Sequence, residues 1–251
     1  MDPSLERRLL DGVGRAMGRF TMLRPGDRVA VGVSGGKDSL CLLHALVAHR
    51  RRAPFPYELV AVTIEQGKFK APIRLIEEAV RALGVEWVVR DDRPTLRLVA
   101  QGVTHGCAVC SRHRRGALYR VADELGATAL ALGHTADDCA EALLRNILFN
   151  GRIASLPPVS RSRKGGLRLI RPLVLVPETL TAAYAGARGF PTVKCVCADQ
   201  DGPRREIRAF LAELGAHHPG VADSVAAALG NVNPFTLFDA GLAREKPGEG
   251  A

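Results

Sequence analysis

Residues 28–40 read RVAVGVSGGKDSL, and this stretch decides the fold. Arg28 to Ser34 is short, apolar and valine-rich, which suits a buried strand. It runs into Ser34-Gly35-Gly36-Lys37-Asp38-Ser39, and Asp38 to Arg50 is helical in composition. Two glycines let backbone amides approach an anion closely. The helix start adds unpaired amides and the positive end of a dipole. Ser34, Lys37 and Ser39 add side-chain donors, so the turn is a phosphate cradle by chemistry. It is not a Walker A loop, because Asp38 stands where that motif needs Ser or Thr. Nor is it the dinucleotide G-x-G-x-x-G pattern.

Working outward, the strand-then-helix alternation repeats. Leu5, Leu9, Leu10, Val13, Met17 and Phe20 give residues 3–22 one apolar helical face, and Pro25-Gly26-Asp27 ends it. Strands are expected at 57–65, 85–90 and 128–132, with helices at 72–83, 112–125 and 136–149. The implied class is α/β: a parallel twisted sheet with helices on both faces. Ligands of such sheets bind at the carboxyl ends of strands. The glycine turn, Glu65-Gln66 and Gly133-His134 all fall at such ends. Beyond residue 150 the sheet pattern fades. Residues 151–168 read as a long exposed loop, and helices follow near 178–189, 203–214 and 221–230. The expected organisation is an N-terminal helix (1–24), a nucleotide-binding α/β domain (25–175), a helical region carrying the distal cysteines (176–243) and a disordered tail (244–251).

The chain has 251 residues, 47% apolar and 24% charged, ordinary for a globular protein. It holds no apolar run long enough to span a membrane. The charged N-terminus lacks the apolar core of a signal peptide, so a cytoplasmic location is expected. Net charge is +9, and its distribution matters more than its sum. Residues 93–122 carry six Arg and no acid; residues 142–177 carry seven Arg and Lys, again with no acid. The remainder of the chain is therefore net acidic. Acid-free basic zones favour a polyanion, most commonly nucleic acid. Arg112, Arg114, Arg115, Arg161, Arg163, Lys164 and Arg168 are the candidate nucleic-acid contacts. Aromatic content is only 5%, so stacking platforms are few. Phe69, Tyr119 and Phe149 are the candidates, each expected to serve the core, and Lys68 and Lys70 are either phosphate contacts or solvated.

Six cysteines stand at 41, 107, 110, 139, 195 and 197. Cys107-Ala108-Val109-Cys110 precedes the predicted helix, and Cys195-Val196-Cys197 lies 85 residues beyond Cys110. A CxxC pair brings two thiolates to one metal, and flanking arginines lower thiolate pKa values. Four cysteines suit a closed zinc site. Three suit an iron–sulfur cluster with one iron open, and a redox dithiol remains a third reading. Cys41 and Cys139 sit among apolar helical residues, as core positions do.

The Ser-Gly-Gly-Lys-Asp-Ser turn resembles the PP-loop of the ATP pyrophosphatase superfamily, whose fold is that of the adenine nucleotide alpha hydrolases. CAVCSRHRRGALY at 107–119, GHTADD at 133–138, Arg171-Pro172-Leu173, Tyr184-Ala185, Gly189-Phe190-Pro191, His218-Pro219-Gly220 and Asn231-Val232-Asn233-Pro234 look like the tRNA 2-thiocytidine synthetase group of that superfamily. The resemblance covers about residues 20–240. It implies ATP and Mg²⁺ as cofactors, with Ser34, Gly35, Gly36, Lys37, Asp38, Ser39, Gly133, His134 and Asp138 on the ATP. Lys37 would hold pyrophosphate, and Asp38, or Asp137 and Asp138, would help place Mg²⁺. His134 and Asp138 read equally well as cap and core hydrogen-bonding residues. The resemblance also implies a 4Fe-4S cluster on Cys107, Cys110 and a later cysteine following Phe-Pro, which here is Cys195. The family's second pair is usually CxxC. Here it is CxC, which leaves Cys197 as an alternative ligand. The implied catalytic set is Lys37, Asp38, Cys107, Cys110 and Cys195. The implied reaction thiolates cytidine 32 of the tRNA anticodon loop; the alternatives are thiolation of another tRNA base and a zinc-stabilised RNA-binding PP-loop protein without catalysis. Its implied partners are tRNA, a cysteine desulfurase or other sulfur donor, and a second copy in a homodimer.

Overall fold

The computed structural model describes residues 3–66, 72–93, 97, 101, 107–162, 166–193, 202–239 and 241. Its elements run α1 (Pro3–Arg19), β1 (Arg28–Gly32), α2 (Lys37–Arg50), β2 (Glu58–Glu65), α3 (Arg74–Arg81), β3 (Glu86–Asp91), α4 (Cys107–Glu124), β4 (Ala129–Ala131), α5 (Ala136–Asn150), β5 (Val159–Arg161), β6 (Arg168–Ile170), α6 (Glu178–Arg188), α7 (Gly202–His217) and α8 (Val221–Ala228). The six strands form one sheet in the order β3-β2-β1-β4-β6-β5. All pairings are parallel except β5 with β6.

Strand alternation divides the core in two. Val29, Val31, Leu59, Ala61, Ala129, Ala131 and Ile170 face α1, α2 and α6. Ala30, Val60, Val62, Leu130 and Leu169 face α4, meeting Ala117, Leu118, Val121 and Ala122. Burial on both faces explains why these strands read as continuous apolar runs. It also explains why α2 is buried along Ser39 to Val47.

The chain turns from one side of β1 to the other between β1 and β4. This reversal is the topological switch point, where doubly wound sheets bind their ligands. The opposite rim is tied by one carboxylate. Asp27 accepts from Arg24 N (2.6 Å) and Thr128 Oγ1 (2.7 Å) and is paired with Arg168. Arg168 is 8% exposed and Asp27 4%. Arg168 is thus a structural ion partner buried under the sheet and not an RNA contact. Arg161 pairs in register with Arg168, so it sits at the same rim, away from the switch point.

Two further expectations are corrected. The segment 151–168 is not one long loop: it contains β5, and β6 follows at once. Three-residue strands of mixed pattern carry too little periodicity to stand out. Helix α4 begins at Cys107, so the CxxC occupies its first turn and does not precede it. No helix among the described residues is long and apolar enough to cross a membrane. The tail 244–251 lies outside the described residues.

Candidate nucleotide site

A cavity of about 690 Å³ opens at the switch point, within the range of small-molecule sites. Its floor is Gly32 to Ser34 and Leu132 to His134, the ends of β1 and β4. Asp38 and Ser39 of α2 form one wall. Asp138, Glu141, Ala142 and Arg145 of α5 form another, and Ser111, Arg112, Arg114 and Arg115 of α4 close it. Three separate motifs of the sequence therefore meet in one space.

The glycine loop is shaped by its own residues. Gly35 has φ +77°, and a Cβ there would stand 2.7 Å from Ile76 Cδ1 and 2.9 Å from Val193 Cβ. Ser39 Oγ donates to Gly36 O (2.8 Å) and accepts from Ser34 N (3.2 Å). That hydroxyl folds the loop, while Ser34 stays exposed. Helix α2 starts at Lys37, so its first-turn amides are the donors an incoming phosphate would meet. Gly133 allows β4 to approach this turn. A Cβ on it would lie 3.1 Å from the carbonyl carbon and oxygen of Asp38.

Lys37 is held by Glu178 Oε1 at 2.6 Å and Asp38 Oδ2 at 2.9 Å. Burial works against its charge, but these two hydrogen bonds outweigh that and carry its pKa above the ordinary lysine value. Asp38 Oδ1 accepts from Thr181 Oγ1 at 2.5 Å. Asp137 accepts from Glu178 N at 2.5 Å, and burial raises its carboxyl pKa. Thr135 and Asp138 form a capping box on α5, so the cap reading of Asp138 is realised. Its other oxygen, Oδ1, meets Arg204 of α7 at 2.5 Å, and Glu141 holds both Arg204 (3.1 Å) and Arg208 (2.7 Å). Burial pushes His134 down to about 4, with Arg171, Arg115 and Arg204 adding to the effect against Asp138. The imidazole is therefore neutral at pH 7. Its Nδ1 is buried and has no hydrogen-bond partner among the described residues.

Glu178, Thr181, Arg145 and Arg204 were not singled out by the sequence reading. Glu178 lies 141 residues from Lys37, and nothing local in either segment links the two. Only the acid-free stretch containing Arg145 gave a signal. Of the other candidates, Arg112 and Arg115 are exposed at the cavity, Tyr119 is half-buried and Phe149 is 53% exposed, against the expectation of a core role. Cys41 and Cys139 are buried free thiols. Burial raises them to about 12 and about 11. Cys195, Cys197, Arg163, Lys164, Lys68, Phe69 and Lys70 lie outside the described residues, as do the side chains of Cys107 and Cys110. Among the described residues no cluster of three His, Cys, Asp or Glu can hold a metal ion.

The PP-loop domain family matches residues 5–211. The chain belongs to the PP-loop family. The PP-loop protein is 45% identical over 246 residues to a tRNA-cytidine(32) 2-sulfurtransferase of Anaeromyxobacter dehalogenans, covering 96% of this chain and 84% of that one. It is 41% identical to the protein of the same name from Sorangium cellulosum, covering 95% and 86%. Its fold matches the U34-tRNA thiolase NcsA from Methanococcus maripaludis, solved with its [4Fe-4S] cluster. The TM-score is 0.74 at 23% identity, over 96% of this chain and 80% of that one.

Proposed function

We propose that this PP-loop protein is an ATP-dependent tRNA thiolase that replaces the C2 oxygen of cytidine 32 with sulfur. The carrying observation is that one cavity has the phosphate-binding loop on one wall and the first turns of the CxxC helix on another. The names of its relatives support the cytidine.

In this reading the ATP phosphates lie on the loop at 34–39 and on Lys37. The C2 carbonyl oxygen attacks the α-phosphorus, the bond to the β-phosphate oxygen breaks, and pyrophosphate leaves. A sulfide-level donor then attacks C2, forming the C–S bond, and the C2–O bond breaks with the oxygen leaving on AMP. Lys37 and the α2 amides neutralise charge accumulating on the phosphates. His134, neutral and with Nδ1 uncommitted, offers one hydrogen bond to the nucleotide or the base. Both Asp38 oxygens already have protein partners. Mg²⁺ would therefore enter mainly on phosphate oxygens, with Asp38 or Asp138 exchanging a protein partner for it.

The donor set fits an iron–sulfur cluster. Cys107 and Cys110 stand three residues apart in the first turn of α4, beside the wall residues Ser111 and Arg112. Val193 lines the cavity and bonds Gly35 O at 2.9 Å. Cys195 follows two residues further on in the sequence, outside the described residues. A 4Fe-4S cluster bound there would supply activated sulfur. Cys41 and Cys139 are buried elsewhere in the core and are not donors. The sulfur itself would come from a cysteine desulfurase or an equivalent, and tRNA substrate implies a cytoplasmic enzyme.

The test is mass spectrometry of tRNA nucleosides from cells with and without the gene. Loss of 2-thiocytidine supports the reading. Loss of a different thionucleoside moves the target base, and no change in any thionucleoside overturns thiolation.

A further inference from the structure

On the face of α5 that lines the cavity lie Asp138, Glu141, Ala142 and Arg145. Their spacing of three and four residues is that of one helical face. Continuing the same spacing beyond Arg145 leads to Leu148 and Phe149, in the last turn before the left-handed cap Gly151. Here the helix has left the core. Leu148 is 59% exposed, Phe149 53% and Ile153 66%. The following loop is folded back along the helix, since Asn146 Nδ2 donates to Ala154 O (2.7 Å) and Ser155 Oγ to Cys139 O (2.6 Å). That loop returns to the cavity at Leu156, another wall residue. An exposed apolar strip thus starts at the cavity mouth. It is flanked by the exposed Arg145 and Arg152, within the stretch 142–177 that contains no acid.

Apolar surface of this kind marks a docking site. The stretch of chain that forms it, residues 142–177, carries Arg and Lys but no acid, which favours a polyanion over an ordinary protein partner. An exposed aromatic ring among arginines is the composition that stacks unpaired bases while the arginines take phosphates. We infer that Phe149, flanked by Arg145 and Arg152, is a stacking platform for an unpaired loop nucleotide neighbouring the one that enters the cavity. This inference rests on the proposed tRNA substrate and adds the surface that holds the loop. Phe149 lies roughly 17 Å along the helix from Asp138 at 1.5 Å per residue. It therefore engages a neighbouring nucleotide and not the target base.

The test is fluorescence anisotropy of the full chain with a labelled anticodon stem-loop hairpin, over a salt series. Phe149→Ala should weaken binding about tenfold without changing the salt slope. Phe149→Trp should restore it, and Phe149→Leu should not, because leucine keeps the apolar surface but has no ring to stack. Arg145→Ala should lower the salt slope by about one. If Phe149→Ala binds as the wild type does, or Phe149→Leu binds fully, the platform is overturned while the substrate reading stands. If Phe149→Ala instead changes the sedimentation coefficient, the strip is a contact between two copies and the inference fails. If the wild-type chain shows no preference for the hairpin over a plain duplex, the tRNA reading falls and takes the platform with it.

Discussion

Glu178 Oε1 lies 2.6 Å from Lys37 Nζ, joining the first turn of α6 to the glycine loop. With Asp38 it keeps the ammonium charged despite burial. A lysine whose folded pKa is raised contributes stability fully below its ordinary value of 10.5. That contribution fades as pH climbs through the raised value. Glu178→Gln removes one of the two carboxylates that raise it, so Lys37 should lose its proton at lower pH. The alkaline limb of ATP-dependent pyrophosphate release should move to lower pH, while activity at pH 7 falls less steeply than in Lys37→Met. A limb that stays in place would show that Glu178 does not tune the lysine.

His134 has the opposite sign. Its folded pKa, about 4, is depressed below the ordinary value of 6.5 through burial. Between those values the unfolded chain takes up a proton that the folded chain refuses, so stability falls as pH falls. The cost is roughly 2 kcal/mol between pH 7 and pH 5 at 1.36 kcal/mol per unit. His134→Gln should remove that part of the acid sensitivity. The check is chemical denaturation at both pH values, where equal slopes for the two proteins would refute the assignment.

Gly133, two residues past β4, is where the chain leaving that strand meets the first turn of α2. Its added Cβ would meet main-chain atoms of Asp38 at 3.1 Å, and backbone cannot swing aside as a side chain can. Gly133→Ala should push the loop off its position, weaken ATP binding about tenfold or more and cost about 1–3 kcal/mol of stability. Isothermal titration with ATP and a urea curve read the two effects separately. An alanine variant with wild-type ATP affinity would mean the close approach has slack.

The glycine loop was legible because one local stretch contains both its strand and its helix start. The same holds for β1 and β2, whose buried centres are apolar runs. The α6 contribution was not legible. Glu178 and Thr181 act on Lys37 and Asp38 across more than 140 residues, and hydrophobic periodicity says nothing about which helix N-terminus meets which loop. Arg168 misled for a related reason. A basic residue in an acid-free stretch reads as surface charge, but its counter-ion Asp27 lies 141 residues away in sequence, at the same rim of the sheet.

That pair yields a prediction of its own. Removing one partner of a buried ion pair strands the other charge, at a cost of about 3–5 kcal/mol. Asp27→Asn and Arg168→Met should each be strongly destabilised in urea. The double variant should lose clearly less than the two losses combined. By contrast, Arg112→Ala and Arg115→Ala, at exposed positions, should leave stability unchanged and weaken RNA binding. If Arg168→Met folds with wild-type stability and binds RNA weakly, the structural assignment is wrong.

The cysteines divide into two chemical classes that one experiment can separate. Cys41 Sγ donates to Thr181 O (3.4 Å), and its pKa of about 12 reflects burial beside Asp38. Cys139, at about 11, is buried in the same way. Only the thiolate reacts, so both should resist alkylation at pH 8 in the folded protein. Cys41→Ala and Cys139→Ala should keep the iron and sulfide content of anaerobically reconstituted protein. Cys107→Ala, Cys110→Ala and Cys195→Ala should lose it. Retention in Cys195→Ala with loss in Cys197→Ala would transfer the third ligand to Cys197, a shift that the CxC spacing makes chemically easy. Zinc in place of iron in every variant would overturn the cluster assignment while leaving the nucleotide site intact.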